Sequence, residues 1–108
     1  MAFPVTITYR GMDPSDALET TIRTCAEKLA PLQDRISGCE VVVEVPHRHH
    51  RRGRHFHVRL TLMVPGDDIV VSCDSGHDHA RDDAHTTTRQ AFETARRVVV
   101  ERADSKRA

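Results

Sequence analysis

Aromatic residues are scarce in this chain of 108 residues: they make up 4% of it, and tryptophan is absent. The hydrophobic core must therefore be built mainly from valine, leucine, isoleucine and alanine. No apolar run approaches the roughly 20 residues that a membrane-spanning helix needs, and residues 1–5 lack the pattern of a signal peptide. We therefore expect a cytoplasmic protein that does not bind a membrane.

Cysteine and net charge are also low. The three cysteines, Cys25, Cys39 and Cys73, lack C-x-x-C spacing and are odd in number, which argues against a zinc ribbon and a disulfide framework. Each lies in an apolar run, so we expect small core residues in a reducing compartment. The formal net charge is zero, so no overall field attracts nucleic acid, and polyanion binding must come from a local excess of positive charge. Such an excess exists in residues 47–59, which hold five arginines and no acidic residue.

Three apolar, β-branched runs lie between residues 39 and 75, separated by a long basic segment and a short acidic one. In the middle run, one face would carry Phe56, Val58, Leu60, Leu62 and Val64. The other face would carry His55, His57, Arg59, Thr61 and Met63. This period of two predicts a half-buried strand. The tight-turn sequence at 65–68 predicts a hairpin with the third run, so that the three strands form an antiparallel meander.

A further strand and a helix are predicted before the meander. Residues 3–10 alternate as a strand does, with Pro4 tolerated only at a sheet edge or a strand start. Ser15 is the expected N-cap of a helix, and Pro31 should end or kink that helix. Its predicted buried stripe comprises Leu18, Ile22, Cys25, Ala26 and Leu29.

A second helix is predicted after the meander, with Asp82 or Asp83 as its N-cap. Its predicted stripe comprises Ala84, Thr88, Ala91, Phe92, Ala95, Val98 and Val99. Residues 103–108 are charged and should fray. The expected fold is a single α+β domain over residues 1–108 in the order β-α-β-β-β-α, a four-stranded sheet with two helices packed on one face.

These segments resemble the short ribosome hibernation factors, the family of hibernation promoting factor and ribosome-associated inhibitor A, also described as sigma-54 modulation or S30EA-type proteins. The resemblance rests on S-D-A-L with E-K-L-A-P-L-Q-D-R-I between residues 15 and 36, on V-V-V-E-V-P-H-R-H-H, and on H-V-R-L-T-L-M-V-P-G-D-D-I-V-V. On the last helix, Asp83 matches an aspartate N-cap and Arg97 matches a basic residue. His85 replaces the family's aromatic residue.

The resemblance implies binding in the mRNA and tRNA channel of the small ribosomal subunit, which blocks translation under stress or in stationary phase. It also implies that basic helix faces contact the phosphates of ribosomal RNA. We therefore expect ribosomal RNA of the small subunit as the partner, without DNA, and the oligomeric state stays open. The chain has no C-terminal extension like that of the long members, so we do not expect it to pair ribosomes through its tail.

Two sets of basic residues on the predicted helices are the candidate contacts to RNA phosphates, which arginine meets with a planar fork of donors. The first set is Arg23, Lys28 and Arg35. The second set is Arg89, Arg96, Arg97 and Arg102. Two helices on one face of the sheet would place both sets around a shared groove. The alternative is that these side chains are simply solvated on the outer sides of amphipathic helices.

The basic loop at residues 47–54 has two interpretations that both stay open. Its arginines are candidate RNA contacts, and the histidines nearby would add positive charge below about pH 6.5. Alternatively, the loop is solvated and keeps a sheet edge from pairing with other chains. The arginines concerned are Arg48, Arg51, Arg52 and Arg54.

Each of three H-x-H pairs would place two imidazoles on the same face of a strand. A metal site at these histidines is a less favoured hypothesis. The histidines are His47, His49, His55, His57, His77 and His79. No cysteine or carboxylate completes a recognised spacing, and nearby arginines repel cations, so we expect neither a physiological metal nor a cofactor. Neighbouring residues from Ser72 to His77 cannot converge as a catalytic triad, so we expect no enzyme.

Two alternative functions remain open on the same fold. One is a His-rich metal-binding protein. The other is a protein-interaction module that uses the exposed sheet face with Val42, His55, His57 and Arg59.

Overall fold

The structure is a computed structural model that describes residues 3–45, 56–74 and 84–107, with side chains of the last helix described up to Arg102. Its strands are β1 (Val5–Arg10), β2 (Gly38–Glu44), β3 (His57–Met63) and β4 (Ile69–Asp74). Its helices are α1 (Asp16–Glu27), a 3₁₀ helix (Ala30–Arg35) and α2 (Ala84–Arg107). The predicted order β-α-β-β-β-α and the α+β class are confirmed.

The four strands form one mixed sheet in the order β1-β2-β3-β4. The antiparallel meander of β2, β3 and β4 is as predicted, whereas β1 pairs parallel to β2 at the edge of the sheet. A parallel neighbour needs a crossover connection, which α1 and the 3₁₀ helix provide. Pro4 lies just before β1, and its carbonyl oxygen accepts a hydrogen bond from the Cys39 amide at 3.0 Å. Proline is therefore placed where its missing N–H is not needed.

Local signals set the ends of α1. Ser15 is its N-cap, and the Ser15 hydroxyl accepts a hydrogen bond from the Leu18 amide at 3.1 Å. The helix ends at Glu27, and Pro31 lies in the first turn of the following 3₁₀ helix, where a proline nitrogen costs no hydrogen bond. Leu32 then packs against the core, and Ile36 is buried before β2 begins.

One face of the sheet is covered by the helices and carries the core. The alternation predicted for β3 is confirmed, since its apolar face is buried and Arg59 on the other face is exposed. Both predicted helix stripes are also buried, apart from the half-buried Val98. Cys25 and Cys39 are buried core residues, and Cys73 is half-buried against the core. The core residues of the sheet are Cys39, Val41, Val43, Val58, Leu60, Leu62, Ile69 and Val71.

Two predictions concern the ends of α2. The N-cap at Asp82 or Asp83 lies outside the described residues. Residues 103–107 are helical in the structure, so α2 reaches Arg107. Fraying of residues 103–108 stays a prediction. Of the described helices, none is long and apolar enough to cross a membrane.

Candidate nucleic-acid interface

The two long helices lie side by side on the covered face of the sheet and contact each other directly. Thr21 on α1 and His85 in the first turn of α2 form a hydrogen bond of 2.7 Å between the threonine hydroxyl and the imidazole Nδ1. Further along α2, a groove open to solvent lies between this helix and the C-terminal end of α1. A groove between the helices is therefore present, but of the seven basic residues predicted to surround a shared groove only Lys28, Arg89 and Arg96 line it.

This groove, which we call the interhelix groove, has a volume of about 240 Å³. Its lining residues are Cys25, Lys28, Leu29, Arg89, Phe92, Glu93 and Arg96. The apolar members belong to the core and form the floor, whereas the charged members are exposed at the rim. The rim carries three cations and one carboxylate, which is a local positive excess on a chain of zero net charge. Such a rim can attract an anion that the chain as a whole does not.

The pKa of the Cys25 thiol depends on the burial and the charges at the floor of the groove. Burial raises the pKa of Cys25, because the thiolate loses hydration, and the charges of Lys28 and Arg89 act in the opposite direction. Both cations are therefore close enough to stabilise a negative charge in the groove. One cation comes from each helix, so only the packing of α1 against α2 brings them together.

A second groove of about 290 Å³ lies between the 3₁₀ helix, the β3–β4 turn and α2. Arg35 and Arg102 line it together with Asp34 and Asp67. Arg102 donates a hydrogen bond from Nη1 to the backbone oxygen of Asp67 at 2.9 Å. Because its charges nearly balance and one arginine is engaged with the turn, this groove is a weaker anion site than the interhelix groove.

The two grooves lie on different sides of α2. Arg89 and Arg96 are seven residues apart, which places them on one side of the helix about 10 Å apart along its axis, whereas Arg102 lies about 120° further around the axis. Arg97 is exposed on α2 but is not among the lining residues of either groove. On α2, therefore, only Arg89 and Arg96 are placed to meet phosphates at the same groove.

Arg23 is placed differently from the other candidates. Its Nε donates to Glu19 Oε2 at 2.9 Å, an ion pair between residues four apart on α1. Because the Arg23 guanidinium already donates a hydrogen bond to this carboxylate, it is less available to a phosphate. The structure thus groups Lys28, Arg89 and Arg96, places Arg35 with Arg102, and leaves Arg23 paired with an acid.

Sequence patterns had not singled out two features of the interhelix groove. The first is Glu93, an acid within the basic rim. Its position four residues after Arg89 and three before Arg96 is the signal that could have identified it. The second is that Cys25, Leu29 and Phe92, predicted only as core residues, also line the groove.

The candidate loop arginines, Arg48, Arg51, Arg52 and Arg54, lie outside the described residues. Of the candidate metal ligands, only His57 is described, and its Nδ1 lies 2.7 Å from Asp74 Oδ1. Within 3–45, 56–74 and 84–107, the structure has no group of three or more histidine, cysteine, aspartate or glutamate side chains arranged to hold a metal ion. The remaining candidates, His47, His49, His55, His77 and His79, are also outside these ranges.

The second face of the sheet carries the residues of the protein-interaction alternative, except that His55 is not described. Strand register places Thr8, Val42, Arg59 and Ser72 in one row across this face. A neighbouring row holds Arg10, Glu44, His57 and Asp74. This second row holds one arginine and two carboxylates beside His57, so the described part of the face has no excess of arginine over carboxylate.

Taken together, the fold and the interhelix groove define a small α+β protein with a positively charged groove between two helices on one side of its sheet. Residues 5–107 match the family described as Sigma 54 modulation protein / S30EA ribosomal protein, and the chain belongs to this family. The family is one of ribosome-associated factors and is not an enzyme family. The family membership expected from the sequence is confirmed.

Two solved structures have the same fold. One is a ribosomal subunit interface protein from Coxiella burnetii, with 17% sequence identity and a TM-score of 0.74, covering 94% of this chain and 98% of that one. The other is the N-terminal domain of Thermus thermophilus Protein Y, with 14% identity and a TM-score of 0.65, covering 90% and 91%. At these identities the similarity establishes the fold alone. A comparison with curated proteins gives no match.

Proposed function

We propose that this protein binds ribosomal RNA of the small ribosomal subunit, in the channel for mRNA and tRNA, and so restrains translation under stress or in stationary phase. A protein that occupies this channel excludes mRNA and tRNA sterically and needs no catalytic step. The proposed site of action is the cytoplasm, where ribosomes lie. Family membership supports the association with ribosomes.

The observation that carries the RNA contact is the convergence of Lys28, Arg89 and Arg96 on the interhelix groove. Phosphate groups dominate the affinity of proteins for nucleic acids, and each neutralised phosphate releases counterions. The packed core fixes the backbone positions of these exposed residues relative to one another, so the groove itself need not be assembled at the moment of association. The described part of the uncovered sheet face, where Glu44 and Asp74 lie near Arg10 and Arg59, offers no comparable site.

Co-sedimentation with purified small ribosomal subunits at low and moderate salt tests this proposal. We expect binding to the subunit that weakens as salt rises. The double variant Arg89→Ala/Arg96→Ala should bind at least about tenfold more weakly, since each charged hydrogen bond contributes about 1.5–3 kcal/mol. The slope of log affinity against log salt should fall by about 1.5 when two phosphate contacts are removed.

The matched control is Arg10→Ala/Arg59→Ala, which removes the same two charges from the uncovered sheet face. We expect this control to bind like the unmodified protein. Equal losses in both double variants would mean that only total charge matters, and the proposed interface would be wrong. Absence of any binding at low salt would overturn the proposed function itself.

A further inference from the structure

The strand β4 lies at an edge of the sheet and pairs with β3 on one side. Within the part of the chain that the structure describes, no strand lies on its other side. An edge strand presents backbone N–H and C=O groups to which a segment of another chain can add as a further strand. Proteins commonly protect such edges with lysine, proline or a bulge, and β4 has the sequence I-V-V-S-C-D in unbroken register with β3. The edge of β4 therefore carries none of these protections.

The alternation of hydrogen bonds across the sheet fixes which backbone groups of β4 point outwards. The Cys39 amide donates to the Pro4 carbonyl oxygen at 3.0 Å, so the odd-numbered residues of β2 point their backbone groups towards β1. The even-numbered residues of β2 point towards β3, and the continuous register carries this alternation on to β4. As a result, the N–H and C=O groups that point away from β3 belong to Val70, Ser72 and Asp74.

The side chains of these three residues are accessible as well. Val70 is 56% exposed and is the one large apolar side chain that is exposed among the described residues. Ser72 and Asp74 are also exposed. Neighbouring strands lie about 4.8 Å apart, so a strand added beside β4 would bring its own side chains against Val70. Such a strand would gain an apolar contact in addition to backbone hydrogen bonds.

The charge around β4 indicates which kind of strand fits its edge. Residues 66–83 hold six aspartates and one arginine, in a chain whose formal net charge is zero. Asp68 directly precedes β4 and Asp74 ends it, and both are exposed. Arg59 lies on β3, so β4 would separate it from an added strand. Opposite charges on neighbouring strands are favourable and like charges are unfavourable. The edge therefore favours a basic segment over a second copy of itself, which would bring its own aspartates alongside.

We propose that the outer edge of β4 is a docking site for an extended segment of another protein that is rich in lysine or arginine and adds to the sheet as a fifth strand. The outward backbone groups supply the hydrogen bonds, Val70 supplies the apolar contact, and Asp68 and Asp74 select positive charge. This inference goes beyond the proposed function, because its partner is a protein and because no residue of β4 lines the interhelix groove.

The test uses a short fluorescent peptide of alternating lysine and valine as the probe, and binding to the full chain is measured by fluorescence anisotropy. A second peptide of the same sequence is N-methylated at two successive central residues, which removes one N–H from each of its edges at constant charge. We expect this peptide to bind about tenfold more weakly, since backbone hydrogen bonds are lost. Equal affinities would overturn the inference. A third peptide, with glutamate in place of lysine, should bind more weakly than the probe, and an equal or higher affinity would contradict a basic partner.

A pair of double variants locates the binding on the sheet. Asp68→Asn/Asp74→Asn should weaken binding of the probe about fivefold, since two exposed ion pairs are lost. Glu40→Gln/Glu44→Gln removes two charges from the same face of the sheet but from β2, two strands away from the edge, and should have a smaller effect. Thermal unfolding checks that both variants are folded. Equal losses in the two variants would mean that the edge of β4 is not the site.

Amide hydrogen exchange, followed by NMR, detects the backbone pairing without any variant. Saturating probe should slow exchange of the Val70 and Ser72 amides about tenfold or more, whereas the amide of Ile7, which points outwards at the opposite edge on β1, should be unchanged. Binding that leaves Val70 and Ser72 unprotected would overturn the inference. Protection of these amides by self-association of the chain would identify a second copy as the occupant and would also overturn it.

These measurements involve neither ribosomes nor RNA. If the probe does not bind while the protein still sediments with small subunits, the inference fails and the proposed function stands. If the probe binds but the protein does not sediment with small subunits, the proposed function fails and the inference stands.

Discussion

The hydroxyl of Thr21 on α1 and the Nδ1 of His85 on α2 are hydrogen-bonded at 2.7 Å, although 64 residues separate them in the chain. In this protein the imidazole ring meets a polar partner on the facing helix. The bond joins the helices about one helical turn before the interhelix groove, since Cys25 and Arg89 each follow four residues later. It therefore helps to fix the relative position of the two helices.

Removal of this bond should lower stability. We expect Thr21→Val to reduce the free energy of unfolding by about 1 kcal/mol, since the valine cannot bond to the imidazole. Denaturation in urea measures the change. Thr24→Val, an exposed threonine on the same helix, controls for the change in helix propensity and should cost less. Equal costs in the two variants would mean that the bond does not stabilise the fold.

Two glycines with positive φ should respond differently to the same substitution. At Gly11, φ is +74° and an added Cβ would lie 2.2 Å from the backbone oxygen of Val45, whereas at Gly66, φ is +94° and no atom lies within 4 Å of an added Cβ. Gly66→Ala should cost only the backbone strain of about 1–2 kcal/mol. Gly11→Ala should cost more than about 3 kcal/mol, because the paired ends of β1 and β2 must also move apart. Urea denaturation of both variants measures the loss in the free energy of unfolding. A smaller loss in Gly11→Ala than in Gly66→Ala would contradict the prediction.

Thr88 is fully buried on α2, and within the described part of the chain its hydroxyl is the one buried side-chain group without a hydrogen-bond partner. Thr88→Val removes this hydroxyl at nearly constant shape, so the free energy of unfolding should rise by about 1 kcal/mol. Thr87 is also buried but has an interaction partner, so Thr87→Val should give no such gain. Thermal or urea unfolding of the two variants provides the comparison, and loss of stability in Thr88→Val would refute the argument.

Cys39 should make the fold sensitive to alkaline pH. Burial raises the pKa of its thiol from 9.0 to about 12, and the charge of Glu40 adds to this rise. The unfolded chain therefore loses the proton first, so the stabilising contribution is complete below pH 9 and is lost as the pH rises towards 12. Above pH 9 one such group lowers stability by up to about 1.4 kcal/mol per pH unit. Cys39→Ala should flatten this decline in urea denaturations at several pH values, and an unchanged slope would contradict the prediction.

Arg23 and Lys28 should contribute unequally to ribosome binding. Lys28 lines the interhelix groove, whereas Arg23 is paired with Glu19. We expect Lys28→Ala to weaken binding to small subunits about tenfold and Arg23→Ala about twofold or less. Glu19→Gln releases Arg23 and should not weaken binding. A larger loss in Arg23→Ala than in Lys28→Ala would show that the groove is not the principal contact.

Much of the fold follows from local sequence patterns. The alternation around Leu60 marks a strand, and Ser15 and Pro31 mark the ends of helical segments, because each effect acts between residues close in the chain. The parallel pairing of β1 with β2 could not be derived in this way. Alternation states which side of a strand is buried but not which strand is its neighbour.

The candidate site was predictable as a set of residues but not as an arrangement. Family resemblance and charge placed basic residues on both helices, among them Lys28 and Arg89. Whether two side chains 61 positions apart face the same groove depends on the register at which the helices pack. The same packing placed Glu93 at the rim.

By itself, the sequence determined the elements, the buried face of each one and the family, because periodicity, capping and turn chemistry are local properties of the chain. Only the tertiary structure decided which cations act together. It brought Lys28, Arg89 and Arg96 to one apolar-floored groove, while Arg23 lies against Glu19 and Arg102 against the β3–β4 turn. Electrostatic contacts depend on distances of a few ångströms between remote residues, and such distances exist only once the helices are packed on the sheet.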